Sequence, residues 1–176
     1  MGTSVRRRPR LRQNRGMQIY ILRHGIAKAA GPRVQDFKRE LTKEGRKKLE
    51  RVLKAARRGG VRPGLVVSSR LVRAVQTAEM ARKILKVKAA IHETRALVPG
   101  SAPQQVWEEL RGLKDAESVL LAGHEPMLSS LAAWLLGAPD VQIHMTKAAM
   151  VCIEIEQLRG EPRGLLRWMI TPKLAG

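Results

Sequence analysis

Apolar positions along the chain follow two rhythms. Met17-Gln-Ile-Tyr-Ile-Leu22, Leu65-Val-Val67 and Ser118-Val-Leu-Leu-Ala122 are short, nearly continuous apolar runs without charge. Runs of that length suit strands covered on both faces, as in parallel sheets. Residues 147–155 and 165–170 read as two later strands, the last at a sheet edge. Between the runs the spacing turns helical. Leu49, Val52, Leu53 and Ala56 form one stripe, with Thr42 as its N-cap. Leu71, Val75, Ala78 and Leu85 form a second. Val106, Leu110 and Leu113 form a third, opened by Ser101-Ala-Pro-Gln104 as a capping-box pattern. Leu128, Leu131, Ala132, Leu135 and Leu136 form a fourth, with Pro126 in its first turn. Strands alternating with helices require crossover connections. The predicted architecture is therefore α/β, a three-layer α/β/α sandwich with a mostly parallel central sheet. A length of 176 residues suits one domain, and no internal repeat divides it.

Charge changes this picture at one end. Lys and Arg number 34 against 15 Asp and Glu, a net charge of +19. Arg6, Arg7, Arg8, Arg10, Arg12 and Arg15 crowd the first 16 residues, which hold no acid. Such a segment cannot bury enough apolar surface to order itself. It reads as a disordered basic arm over 1–16, or as a leader upstream of a start at Met17, followed by one domain over 17–176. The arm has no apolar core of the kind a secretory signal needs. The field of the whole chain attracts polyanions, so nonspecific binding of phosphorylated proteins or nucleic acid is expected. Aromatics make up only 3%, too few for base-stacking platforms. The longest apolar runs fall short of a membrane span. One cysteine, Cys152, excludes an internal disulfide and points to a reducing compartment, the cytoplasm.

Three predicted strands end in groups that do not belong in a core: Arg23-His24, Ser69 ahead of Arg70 and Arg73, and His124. In open α/β sheets ligands bind outside the carboxyl ends of strands. Converging there, arginines and histidines would make an anion site, because guanidinium forks match phosphate oxygens. Helices starting after Ser69 and Glu125 would add free amides. Other chemistries fit poorly. His92-Glu93 and His124-Glu125 lack a second histidine four residues after the first, and no zinc spacing exists. There is no GxxxxGK[ST] loop, GxGxxG turn or GxSxG elbow. A cysteine-phosphatase loop would want arginine six residues after Cys152, where Leu158 stands. Cys152 alternates with Val151, Ile153 and Ile155 and reads as packing.

Four segments in order resemble the histidine phosphatase (phosphoglycerate-mutase-like) superfamily. Leu22-Arg-His-Gly25 resembles its RHG signature. Arg39-Glu-Leu-Thr-Lys-Glu-Gly45 is similar to its R-x-L-T-x-x-G. Ser69-Arg-Leu-Val-Arg-Ala-Val-Gln-Thr77 resembles its S-x-x-x-R-A-x-x-T, and Gly123-His-Glu-Pro126 its G-H-x-P. The resemblance covers residues 17–170 and is nearest to the SixA-type phosphohistidine phosphatases. It implies that His24 is the nucleophile, that Arg23 and Arg73 bind the phosphoryl oxygens with Ser69, and that His124 completes the pocket. Arg73, rather than Arg70, matches the pattern's arginine. No metal or other cofactor is implied.

One departure bears on the substrate. Family members acting on sugar alkoxides carry a Glu in an L-x-E segment, where this chain reads Leu97-Val-Pro99. The asparagine those enzymes carry after RHG is also missing. Imidazole is a better leaving group than an alkoxide, because its second nitrogen carries a proton near neutral pH. The expected activity is hydrolysis of phosphohistidine on a partner protein. Glu93 or Asp36 could serve as a displaced proton donor. Two other readings stay open: a phosphomonoesterase for a small molecule or nucleotide, and a nucleic-acid-binding protein with a vestigial phosphatase fold.

Overall fold

The computed structural model describes residues 16–31, 35–113 and 115–176. The expected arm lies outside the described residues except for Gly16. Strand β1 (Met17–Arg23) lies inside a six-stranded sheet ordered β3-β2-β4-β1-β5-β6. Here β2 is Leu65–Ser69, β3 Ile91–Thr94, β4 Ser118–Gly123, β5 Met150–Ile155 and β6 Leu165–Ile170. The first four strands are parallel, and β5 runs antiparallel to both of its neighbours. The expected sandwich around a mostly parallel sheet is what the chain forms.

The apolar runs are continuous because both faces of the sheet are covered. Tyr20 and Leu22 point into one core, shared with α1 (Lys43–Arg58) and α2 (Val72–Ile84). Ile19 and Ile21 point into the other, shared with α3 (Pro103–Gly112) and α4 (Met127–Leu135). Cys152 is buried in the first core, and burial pushes its thiol up to about 11, so it packs and does not react.

Several elements differ from the sequence-based expectation. The strand expected over 147–155 starts only at Met150. Residues 146–149 form a turn instead, in which the Ala149 amide donates to the Thr146 carbonyl and Ala148 has φ 65°. Strand β3 escapes the pattern because it is a four-residue edge strand with His92 and Glu93 exposed. Helix α2 buries Ala74, Ala78 and Ala81 with Arg73 and Thr77, while Leu71 becomes its N-cap and Val75 is half-buried. Small residues let this helix approach the sheet closely. At α3 the N-cap is Ala102, whose amide donates to Gln105 Oε1 at 3.1 Å, while Ser101 donates to the Arg95 carbonyl. Pro126 is likewise the N-cap of α4, not part of its first turn.

The loop after β1 is braced by the start of α1. Thr42 Oγ1 accepts from the Gly45 amide at 2.9 Å, the cap expected from the pattern. The Thr42 amide donates to the Ile26 carbonyl. Gly45 packs directly on that segment, and a Cβ there would stand 2.1 Å from the Ile26 carbonyl oxygen. No side-chain rearrangement relieves a clash with backbone. Gly45→Ala is therefore expected to destabilise the fold by roughly 1–3 kcal/mol or more in equilibrium urea unfolding. Gly59→Ala, whose Cβ would meet nothing nearer than 3.4 Å, is the control and should change stability far less.

Candidate active site

Register brings the polar strand ends together. In the parallel ladder Arg23 pairs with Gly123, and Ser68 with Ala122. The carboxyl ends of β1, β4 and β2 are therefore level, and the residues that follow emerge side by side. The His24 amide donates to the Gly123 carbonyl at 3.1 Å. The His24 and His124 rings lie 5.0 Å apart between centroids. His24 is 7%, Arg73 5% and His124 1% exposed, so three titratable or charged side chains are buried at one point.

Each of these side chains is oriented by the protein on one side only. His24 Nδ1 donates to the Gly25 carbonyl at 2.7 Å. A carbonyl only accepts, so the proton sits on Nδ1 and the lone pair on Nε2. Burial, with the charges of Arg73, Arg23 and Lys147, outweighs the Gly25 carbonyl and lowers the His24 pKa to about 4. The ring is neutral and nucleophilic at neutral pH. His124 Nε2 lies 2.9 Å from Ser69 Oγ, and burial with the neighbouring His24 and Arg73 lowers its pKa to about 3. Ser69 Oγ also accepts from the Leu71 amide; when its own proton goes to His124 Nε2, the imidazole proton sits on Nδ1.

The arginines follow the same logic. Arg23 Nη1 donates to the Met145 carbonyl at 2.6 Å. Arg73 Nη1 donates to the Asp36 carbonyl at 2.8 Å and Nη2 to the Asp36 carboxylate at 3.1 Å. In both, Nε is buried and has no partner in the protein, as is His124 Nδ1. Among the described residues the fourth such side-chain atom is Thr146 Oγ1. Burying a donor without a partner costs about 1–3 kcal/mol. With two guanidinium Nε–H groups and one ring nitrogen unpartnered in the protein, and both arginine charges acting on His24, the arrangement suits a small, multiply charged oxyanion.

Thr77 explains the spacing of the arginine segment. One helical turn after Arg73, its hydroxyl donates to the Arg73 carbonyl at 2.7 Å and accepts from the Gly25 amide at 3.2 Å. It ties α2 to the loop that carries His24. Ala74 between them is fully buried. Arg70 is exposed and Arg73 buried, so geometry separates two arginines that composition does not.

The two expected proton donors part company. Glu93 lies exposed on edge strand β3, paired with Ser68, and bonds to none of the site side chains. Asp36 is at the site, but bonds from Arg39 and Arg73 hold its carboxyl below the ordinary range. Ionised at neutral pH, it orients Arg73 and carries no proton to give. Sequence reasoning passed over the Met145 carbonyl, the 145–149 turn and Glu125. Glu125 caps α4 by accepting from the Ser129 amide and hydroxyl, and its charge is felt at Arg23. A backbone carbonyl leaves no signal in sequence.

Residues 19–97 match the sequence model of the Histidine phosphatase superfamily (branch 1). No curated protein sequence matches the chain. Among solved structures, the protein histidine phosphatase SixA complexed with tungstate is similar at TM-score 0.79, with 24% identity over 89% of this chain and 98% of that one. A structure from Agrobacterium tumefaciens that carries the name SixA is similar at TM-score 0.76, with 21% identity over 89% and 98%. The alpha-ribazole phosphatase from Shigella flexneri reaches TM-score 0.69, with 17% identity over 89% and 97%. At these identities the likeness to solved structures is one of fold. The matched stretch contains three of the four motif segments, Leu22–Gly25, Arg39–Gly45 and Ser69–Thr77, so the resemblance to the superfamily is borne out there, while Gly123–Pro126 lies beyond it.

The imidazole states are measurable. In long-range 1H–15N NMR spectra, His24 should show a protonated Nδ1 and a bare Nε2 at pH 7, unchanged down to about pH 5. An imidazolium at pH 6 would contradict the geometry. Both folded-state pKa values lie below the ordinary 6.5, so the unfolded chain binds more protons as pH falls. Stability contributed by these histidines should be complete above pH 6.5 and decline as pH falls, to about pH 4 for His24 and about pH 3 for His124. His124→Asn should flatten that part of the melting profile.

Proposed function

We propose that this chain is a metal-independent phosphatase that passes a phosphoryl group from substrate to His24 Nε2 and then to water, and that its substrate is phosphohistidine on a protein. The observation that carries the reading is the set of buried, unpartnered donors on Arg23, Arg73 and His124 around the lone pair of His24. In the first step Nε2 forms a bond to phosphorus as the substrate's P–N bond breaks. The departing imidazole takes the bonding pair and leaves neutral, its other nitrogen already protonated. In the second, water attacks phosphorus, the P–Nε2 bond breaks, and phosphate and a proton are released. The Gly25 carbonyl keeps His24 protonated on Nδ1 throughout, so His24 also departs as neutral imidazole. Arg23, Arg73 and the His124 N–H offset charge on the equatorial oxygens in both steps.

A phosphohistidine substrate is supported by the state of Asp36. An alkoxide leaving group needs a proton delivered at departure, and the one carboxyl bonded to the catalytic arginine is ionised. A small-molecule phosphomonoesterase is the alternative within the same fold, and a substrate panel separates the two. Phosphohistidine protein and phosphoramidate should turn over with kcat/KM well above that for sugar phosphates. The reverse order would establish the alternative.

Two outcomes test the mechanism. Acid-labile phosphate from a rapidly quenched reaction should sit on His24 and vanish in His24→Ala; label on any other residue would overturn the assignment. Arg73→Ala should lower kcat by roughly 100- to 1,000-fold, as for the loss of one donor to a developing oxyanion. Arg70→Ala should leave kcat within a few-fold, and equal losses would refute the assignment of Arg73. Neither rate should respond to EDTA.

A further inference from the structure

The turn between α4 and β5 sits against the nucleophile more tightly than a connecting loop needs to. The Ala148 amide donates to the His24 carbonyl at 3.1 Å, and the Arg23 amide to the Ala149 carbonyl at 3.0 Å. The Met145 carbonyl takes the Arg23 guanidinium. Residues 145–149 thus grip both site residues at the end of β1.

Two features of this turn bear on the site. Ala148 holds φ 65°, a left-handed region that an alanine occupies only under strain, and it does so while fully buried. An alanine stays there when its surroundings enforce it, and here the bond to the His24 carbonyl does so. Thr146 Oγ1 is buried and unpartnered, like the three donors of the phosphoryl cradle. A threonine hydroxyl in a turn ordinarily bonds its own backbone. This one does not, and it sits next to the residue whose carbonyl orients Arg23. Lys147 follows it, exposed, and its charge reaches His24 strongly enough to help hold that ring neutral.

We propose that Thr146 is a further phosphoryl-binding residue, its hydroxyl donating to an oxygen of the group that Arg23 holds, on a turn whose Lys147 adds positive charge at the mouth. The turn becomes a fourth wall of the site, beside those of β1, β2 and β4. This inference rests on the phosphatase reading and adds a residue to its anion site.

The test uses orthovanadate as a phosphoryl mimic, with binding measured by calorimetry on the full chain. Thr146→Val keeps the shape and removes the hydroxyl; Thr146→Ser keeps the hydroxyl. A hydrogen bond to a charged group predicts roughly 10- to 100-fold weaker vanadate binding for Thr146→Val, with a matching loss of kcat/KM on phosphoramidate. Thr146→Ser should restore most of both. A merely structural role would lower the melting temperature of Thr146→Val without moving vanadate affinity at temperatures where it is folded. Vanadate binding equal in Thr146→Val and the parent, with the parent binding well, overturns the role of Thr146 alone. A parent that binds no vanadate, and is indifferent to His24→Ala, overturns the phosphatase reading and this inference with it.

Discussion

Groups that favour positive charge are removed from water together at the ends of β1, β2 and β4, and most of the site's chemistry follows from how the protein tolerates that. Two guanidiniums cannot give up their charge, so the histidines give up theirs. Burial and mutual repulsion hold His24 and His124 neutral. The result is a neutral imidazole with an unprotonated nitrogen, set beside buried groups that have no partner in the protein. An oxyanion placed there removes the repulsion and supplies the missing acceptors together. Asp36 offsets part of the charge from outside, bonded to the far edge of Arg73 and more than half exposed.

Positioning comes from backbone, and backbone contacts are hard to deform. The Gly25 carbonyl fixes the tautomer of His24, the Met145 carbonyl fixes Arg23, and the Asp36 carbonyl helps fix Arg73. Thr77 and the 145–149 turn clamp the chain around Gly25 and His24 from two sides. Gly45 admits α1 against Ile26 at a distance no side chain would permit. The R-x-L-T-x-x-G segment therefore braces the loop that follows His24: Thr42 caps α1, Leu41 is buried, and Gly45 makes room.

The unpartnered donors also set a trade between stability and activity. Each would be satisfied by a nearby carboxylate, and the fold would be more stable for it. A fully satisfied pocket would bind no anion. The cost is carried by two large apolar cores on the faces of a sheet that is covered on both sides.

Local chemistry determined a good deal of this protein without any structure. Apolar runs such as 17–22 and 118–122 can only be buried on both faces, so the layered α/β fold was legible in them. The Thr42 cap and the stripe of α1 were legible because they depend on residues a few positions apart. The pairing of Arg23-His24 with Ser69, Arg73 and His124 was legible only through motifs and through the rule that strand ends converge. Tertiary structure decided the rest. Strand β3 exists because β2 offers it an edge to pair with, since its own apolar content is too small to mark it. Residues 146–149 turn and bond to His24 and Arg23, and only from Met150 onward does the expected strand pair with β1. Asp36 became the partner of Arg73 from across the fold, and bonds from neighbouring Arg39 and from Arg73 hold its carboxyl below the ordinary range. Such decisions rest on distances between residues far apart in sequence, and on desolvation that exists only once the sheet has closed over them.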